Sequence, residues 1–209
     1  MSAGDPRPGG RAGGRLYVAR CPCVLPTGAG KSGRYRPETE REAGMRTHTL
    51  VDSPVGDLTV VAQDGALVGL YFEGHRRGPS ADVLGTRTGE GFEAVRQQLA
   101  EYFAGHRRQF DLPLAPRGND FQRRVWELLR TIPYSETRSY ADLARALGDP
   151  ALAQAVGAAS ARNPLSVVIP CHRVVAADGS LRGYAGGLER KRFLLGLEEP
   201  AAAAADRLF

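Results

Sequence analysis

The 209-residue sequence predicts an α+β fold: a small N-terminal antiparallel sheet with one helix, followed by a mostly helical C-terminal domain that contains a winged-helix-like helix-turn-helix. Three observations predict it. Short alternating apolar runs separated by turn residues fill 46–72, helical spacing of apolar residues dominates after residue 120, and a glycine-containing turn separates two short helices near residue 148.

The composition divides the chain into four regions. Residues 1–44 are rich in Gly, Pro and Arg and predict a disordered arm, and 200–209 predict a flexible tail. Between them, 45–112 form the N-terminal α/β domain and 113–199 the C-terminal domain. The arm contains "LPTGAGKSG", which has Leu25 where a phosphate-binding loop requires its first glycine.

The overall composition excludes several classes of protein. With 42% hydrophobic and 24% charged residues, the chain is typical of a soluble globular protein. No apolar run approaches the roughly 20 residues of a membrane helix, and no signal peptide is recognisable. Three cysteines give no even disulfide framework, so we expect a reducing, cytoplasmic location. Cys21 and Cys23 are too close together for a usual zinc half-site, and we predict no metal.

The charge distribution gives only weak support for a polyanionic partner. The net charge is +5, but residues 1–44 carry +4 of it and the rest of the chain only +1. Affinity of the folded part for nucleic acid must therefore come from the local placement of its charges.

The N-terminal domain shows strand signals followed by one helix. "THTLVDSPVGDLTVVAQDGALVGLYFE" predicts a meander of about three antiparallel strands, with turns at Ser53-Pro54, Val55-Gly56 and Asp64-Gly65. A helix is predicted near 91–104, ending at Gly105. The histidines of the domain, His48, His75 and His106, are scattered and form no predicted site.

The C-terminal domain begins with a linker, "DLPLAPRGND", at 111–120. The next helix has its apolar stripe at Phe121, Val125, Leu128 and Ile132 and is expected to end at Pro133. "TRSYADLARAL" and "DPALAQAVGAASARN" then predict two short helices around Gly148, with Asp149 as the N-cap of the second. This pair is a helix-turn-helix candidate.

The second helix of this pair is mainly alanine, with Gly157 and Ser160. A helix that reads the major groove normally displays Arg, Asn and Gln. A smooth helix suits close, sequence-independent contact with a minor groove, or simply packing against the core. The sequence leaves both interpretations open.

The segment "NPLSVVIPCHRVV", 163–175, carries the reactive side chains. Pro170 restricts the backbone just before Cys171, and His172 follows directly. The thiolate is the nucleophilic form of cysteine, and an imidazole oriented by a carboxylate accepts the thiol proton. The pattern indicates an active-site loop with a nucleophilic cysteine.

"IPCHRV", with "NP" upstream, "GYAGG" downstream and "SYADLA" before it, resembles the O6-alkylguanine-DNA alkyltransferase family, also called methylated-DNA–protein-cysteine methyltransferase. The resemblance covers about 46–198 and is strongest over 121–198. It implies DNA repair by irreversible, single-turnover transfer of an alkyl group from O6 of guanine in duplex DNA, after minor-groove binding and base flipping. O4-methylthymine is a possible second substrate. The resemblance implies no cofactor and a monomer.

The resemblance also assigns roles to individual residues. Cys171 is the acceptor, His172 its water-mediated base, and Glu198 the carboxylate that orients His172. Asn163 secures the turn before the active-site loop, and Tyr140 helps to rotate the nucleotide and to protonate the leaving guanine. A further residue, Tyr184, contacts the flipped base. DNA contacts are implied at Gln122, Tyr140, Ala141, Asp149, Gln154 and Ala177.

Gln154 stands where the family usually has an arginine that replaces the flipped base in the stack. Without the resemblance, Glu198 would be interpreted as a solvated acid near the chain end. Arg173 is expected to pair with a carboxylate and to hold the two domains together.

Two other functions compete with the alkyltransferase. A non-catalytic lesion-binding relative typically lacks the acceptor cysteine, so Cys171 argues against it. A cysteine hydrolase with a Cys-His-carboxylate set would turn over many times and would need an oxyanion hole, for which the sequence shows no candidate.

Overall fold

The computed structural model describes residues 44–75, 78–80 and 83–200. All of the predicted arm except its last residue, including "LPTGAGKSG", Cys21 and Cys23, therefore lies outside the described residues, as does nearly all of the predicted tail. Within the described part, no helix has the length and apolar character needed to cross a membrane.

The N-terminal sheet has the order β3-β2-β1-β4. Its strands are β1 (Arg46–Val51), β2 (Leu58–Gln63), β3 (Ala66–Phe72) and β4 (Thr86–Arg87). The first three form the predicted antiparallel meander, and β4 adds a parallel edge to β1. Asp64 and Gly65 join β2 to β3 with φ values of 53° and 76°, which suit an Asp-Gly hairpin turn. The sequence did not predict β4 because it has only two residues, both exposed.

Helix α1 (Glu93–Phe103) follows the sheet and lies within the range predicted for it. Val95, Leu99 and Tyr102 are its buried residues. They bring the helix into the same hydrophobic core as β2 and β3.

The C-terminal part begins with helix α2 (Asp120–Arg130), which Asn119 and Gln122 close with a capping box. It ends at Arg130 rather than at Pro133, because Thr131 and Ile132 leave the α-helical hydrogen-bonding pattern and bond to the carbonyls of Leu128 and Leu129. Ile132 is nevertheless buried, as the apolar stripe predicted.

The predicted helix-turn-helix is present. Helix α3 (Tyr140–Ala146) is capped by Ser139, and the chain then turns through Gly148 at φ 95°. Asp149 caps a single 3₁₀ turn, Pro150–Leu152, which leads into α4 (Ala153–Ser160). The expected N-cap is thus correct, but the first turn of the second helix is 3₁₀.

The remaining elements surround the reactive segment. A 3₁₀ turn, Cys171–Arg173, leads into β6 (Val174–Val175), which pairs in parallel with β5 (Arg138–Ser139). Helix α5 (Leu188–Glu198) closes the described chain. One hydrophobic cluster runs from Val55 to Leu194 and includes residues from both predicted domains. The α+β class is confirmed, and the domain boundary at 112/113 stays a prediction.

Candidate active site

Asn163 organises the loop that presents Cys171. Its side-chain oxygen accepts from the Leu165 amide at 3.0 Å, and its nitrogen donates to the Ile169 carbonyl at 2.8 Å and to Cys171 Sγ at 3.2 Å. Asn163 is buried, so these hydrogen bonds are shielded from water. The loop also holds Val167 at φ 70°, a left-handed conformation that costs energy for a β-branched residue. The Asn163 side chain thus fixes the fold of this turn and the position of the sulfur.

Glu198 is the centre of a buried polar cluster. Its Oε1 lies 2.9 Å from His172 Nε2 and accepts from the Tyr102 hydroxyl at 2.7 Å. Arg173 donates to both carboxylate oxygens, at 2.8 Å and 2.9 Å. Burial alone would raise the pKa of Glu198, but the hydrogen bonds from His172 and Arg173 lower it to about 2. Glu198 is therefore a carboxylate at neutral pH.

The surroundings of Glu198 fit the orienting carboxylate that the resemblance implies, not a solvated acid near the chain end. Glu198 is only 1% exposed, because α5 turns Lys191, Leu194 and Glu198 toward the core at helical spacing. The expectation that Arg173 holds the two domains together is wrong. Arg173 has its carboxylate partner, but that partner belongs to the same C-terminal part. Within this cluster, the N-terminal part contributes Tyr102, whose hydroxyl donates to Glu198.

The hydrogen bond to Glu198 sets the tautomer of His172. A carboxylate only accepts, so Nε2 carries the proton and Nδ1 presents a lone pair. Nδ1 is buried and has no hydrogen-bond partner among the described residues. Burial lowers the pKa of His172, while Glu198 opposes the shift. The neutral ring thus has one nitrogen free to accept a proton.

Cys171 is a free thiol that is 8% exposed. Burial raises the pKa of the thiol, and the Asn163 amide and the charge of Lys191 oppose this shift. A thiol in this setting needs a base to form the thiolate. The structure therefore places Asn163 in contact with the Cys171 sulfur, and Glu198 in contact with His172, the residue that follows Cys171.

Two tyrosines lie close enough to Cys171 to interact with its charge. Tyr140 donates to the Arg182 carbonyl at 3.2 Å, and burial raises its pKa, so that its phenol keeps a transferable proton. Tyr184 is buried against Phe72, and its hydroxyl has no partner within the described part of the chain. The loop approaches Phe72 so closely that a Cβ at Gly186 would lie 2.4 Å from that ring.

The implied DNA-contact positions are spread over the start of α2, the helix-turn-helix and the loop after β6. Gln154 and Ala177 are exposed, and Ala141 is half-buried. The side chains of Gln122 and Asp149 cap their own helices. On α4, Val156, Ala159 and Ser160 are buried while Gln154 and Ala158 are exposed. The small residues of α4 therefore serve core packing on one face and leave a smooth outer face on the other.

Sequence reasoning missed two participants, Tyr102 and Lys191. Both are fully buried, and both contribute polar atoms near the reactive segment. A signal existed for Lys191, because it lies in helical phase with Leu194 and Glu198. Among the residues that the structure describes, no group of three or more His, Cys, Asp or Glu is placed to hold a metal ion.

A helix-turn-helix beside a buried Cys-His-Glu set defines a protein that presents a nucleophilic cysteine next to a DNA-binding motif. The model of the 6-O-methylguanine DNA methyltransferase DNA-binding domain matches residues 120–200, and that of the ribonuclease-like domain of the same methyltransferase matches 47–116. The chain belongs to the 6-O-methylguanine DNA methyltransferase family.

Individual relatives agree with this assignment. The methylated-DNA–protein-cysteine methyltransferase of Mycolicibacterium paratuberculosis is 46% identical over 165 residues, which cover 79% of this chain and 99% of the relative. The constitutive methylated-DNA–protein-cysteine methyltransferase of Bacillus subtilis is 40% identical over 158 residues, covering 74% and 96%.

Solved structures are similar over the same region. The Mycobacterium tuberculosis OGT in complex with DNA matches with 45% identity and a TM-score of 0.70, covering 73% of this chain and 92% of that one. The O6-methylguanine methyltransferase of the same organism matches with 42% identity and a TM-score of 0.69, covering 75% and 96%.

Proposed function

We propose that this protein repairs double-stranded DNA by moving an alkyl group, methyl above all, from O6 of guanine to the sulfur of Cys171. The relatives carry the name of this activity, methylated-DNA–protein-cysteine methyltransferase. The observation that carries the proposal is the buried arrangement of Cys171, Asn163, His172 and Glu198 described above.

The first chemical step is deprotonation of the thiol. Glu198 holds His172 with its Nε2 proton directed to the carboxylate and Nδ1 unprotonated. Nδ1 accepts the thiol proton through a bridging water, and the nearby carboxylate stabilises the resulting imidazolium. Asn163 keeps the sulfur in place and donates a hydrogen bond that stabilises its negative charge.

The second step is a direct displacement at the alkyl carbon. The sulfur–carbon bond forms as the bond between that carbon and O6 breaks, and guanine departs with the electron pair. The phenol of Tyr140 supplies the proton that neutralises the leaving base. The product is a thioether, which has no easy hydrolytic route back to the thiol, so each molecule acts once.

Access to the lesion requires the base to leave the duplex. The smooth outer face of α4 suits close contact with the minor groove, and we expect the flipped O6-alkylated base to bind beside Tyr184. The M. tuberculosis relative has been solved in complex with DNA, which supports a DNA partner for this chain. We expect the protein to act as a monomer in the cytoplasm and to need no cofactor.

The number of lesions that each protein molecule removes tests this function, and we expect it to be one. Duplex with one O6-methylguanine is mixed with protein at several ratios, and the remaining lesion is quantified. A parallel duplex with O4-methylthymine tests the second substrate. The proposal predicts loss of lesion up to equimolar protein and no further. Turnover beyond one equivalent indicates the hydrolase, and binding without loss of the lesion indicates a lesion-binding protein.

Gln154 gives a specific kinetic prediction. It is exposed on α4 and has no charge, so it stacks less well than a guanidinium in the space left by a flipped base. Gln154→Arg is expected to speed single-turnover repair of methylated duplex at low protein concentration. Gln154→Ala is the matched control and should be slower than wild type. An arginine variant no faster than wild type rejects the stacking role.

A further inference from the structure

Lys191 is a buried cation whose partners are neutral. It is 0% exposed, and its Nζ donates to the carbonyls of Val174 at 2.6 Å and Arg182 at 2.9 Å. No carboxylate of the described residues forms a salt bridge with it. A buried ammonium without an anion is costly, because carbonyl dipoles replace only part of its hydration. An anion close to the Lys191 ammonium would reduce this cost.

The thiolate of Cys171 is the anion that the site itself generates. Lys191 and Cys171 lie close enough for the charge of each to act on the other. Val174, whose carbonyl binds Lys191, is only three residues after the cysteine. The ammonium is thus hydrogen-bonded to the same segment that carries the reacting sulfur.

The second partner, the Arg182 carbonyl, connects Lys191 to the predicted base site. The Arg182 carbonyl accepts from both Lys191 and the Tyr140 hydroxyl. It lies two residues before Tyr184, on the loop that forms the wall of the predicted base site. Lys191 therefore links this loop to the segment that carries Cys171.

We propose that Lys191 is a positioning residue for alkyl transfer, whose ammonium stabilises the Cys171 thiolate and fixes the Tyr184 loop through the Arg182 carbonyl. The inference rests on the proposed function and adds a residue to it. Lys191 keeps its protons throughout the reaction, and the thiol proton still goes to His172.

The electrostatics agree with this geometry. Burial lowers the pKa of Lys191 and the negative charge of Cys171 opposes this shift, so that the pKa is about 8. In return, the Lys191 charge lowers the pKa of the thiol against the effect of burial. Other ionisable groups also surround Cys171 and Lys191 and affect how the reactivity of the thiol depends on pH. They are Tyr140 on α3, Tyr184 on the loop, His172 and Arg173 on the 3₁₀ turn, and Glu198 on α5.

The test is the pH profile of Cys171 alkylation by iodoacetamide in the full-length protein, followed on the peptide that carries Cys171. Lys191→Met removes the charge at similar length. It should shift the profile to higher pH and slow both alkylation and methyl transfer about tenfold at neutral pH, a gap that closes in alkali where the thiolate forms unaided. Lys191→Arg should recover most of the rate. Arg192→Met, which removes an exposed cation of the same helix, should match wild type.

If Lys191 has only a structural role, Lys191→Met leaves the pH profile of Cys171 alkylation unchanged. This result overturns the proposal. A second measurement needs no lysine variant. The pKa of the Lys191 ammonium, read by NMR, should fall in Cys171→Ser, because the anionic partner is lost; an equal pKa in both proteins also overturns the proposal. Neither the iodoacetamide profile nor the NMR measurement of the Lys191 pKa uses DNA, so a failure of wild-type repair would reject the proposed function separately.

Discussion

Cys171→Ala is expected to abolish methyl uptake from O6-methylguanine duplex while the protein stays folded and still binds the duplex. Cys171 is the free cysteine of the described residues, and its sulfur is the nucleophile in the proposed reaction. Removing the sulfur leaves no thiolate beside His172, and an alanine methyl group fits the space with little change in packing. Intact-protein mass after exposure to methylated duplex measures the loss.

The other cysteines provide a matched control. Cys21→Ala and Cys23→Ala remove the same atom at positions outside the described residues, and both should gain one methyl group as wild type does. Duplex affinity of Cys171→Ala, measured by fluorescence anisotropy, separates loss of chemistry from loss of binding. Methyl uptake by Cys171→Ala at the wild-type rate would show that the acceptor is another atom.

Glu198→Gln is expected to destabilise the protein by about 3–5 kcal/mol and to slow methyl transfer. Glutamine has the shape of glutamate but no charge, so the guanidinium of Arg173 is left buried without its anion. His172 also loses the carboxylate that orients its ring and stabilises its protonated form. Urea unfolding measures the stability, and single-turnover repair of methylated duplex measures the rate.

The control for this change is Glu189→Gln. Glu189 is 90% exposed and pairs with Arg192 on the surface of the same helix, so its loss should cost no more than about 1 kcal/mol. Arg173→Met added to Glu198→Gln should recover part of the stability, because it removes the unpaired charge. Equal urea midpoints for Glu198→Gln and wild type would contradict the proposed contribution of the cluster.

Local sequence patterns were sufficient for most of the fold. The meander, the Asp64-Gly65 turn, the Asp149 cap and the helix-turn-helix all depend on neighbouring residues, and the structure contains them. The two-residue strands β4, β5 and β6 were missed because they form only through pairing with distant segments and have no period of their own.

The candidate site was predictable only in part. Adjacency of Cys171 and His172 indicated a nucleophile with a base, but the ring of His172 is oriented by Glu198, which lies 26 residues further along the chain. That pairing came from the family resemblance and not from spacing. Tyr102 reaches the same carboxylate across 96 residues, a contact that no local pattern indicates.

The final position of the methyl group shows directly whether the sulfur of Cys171 accepts it from O6-methylguanine. Wild-type protein is incubated with excess O6-methylguanine duplex carrying an isotopically labelled methyl group, digested, and sequenced by tandem mass spectrometry. If Cys171 is the acceptor, we expect one labelled methyl per protein molecule, on the sulfur of Cys171, with unmodified guanine left in the duplex. Label on any other residue, or demethylated duplex beside unlabelled protein, would contradict it.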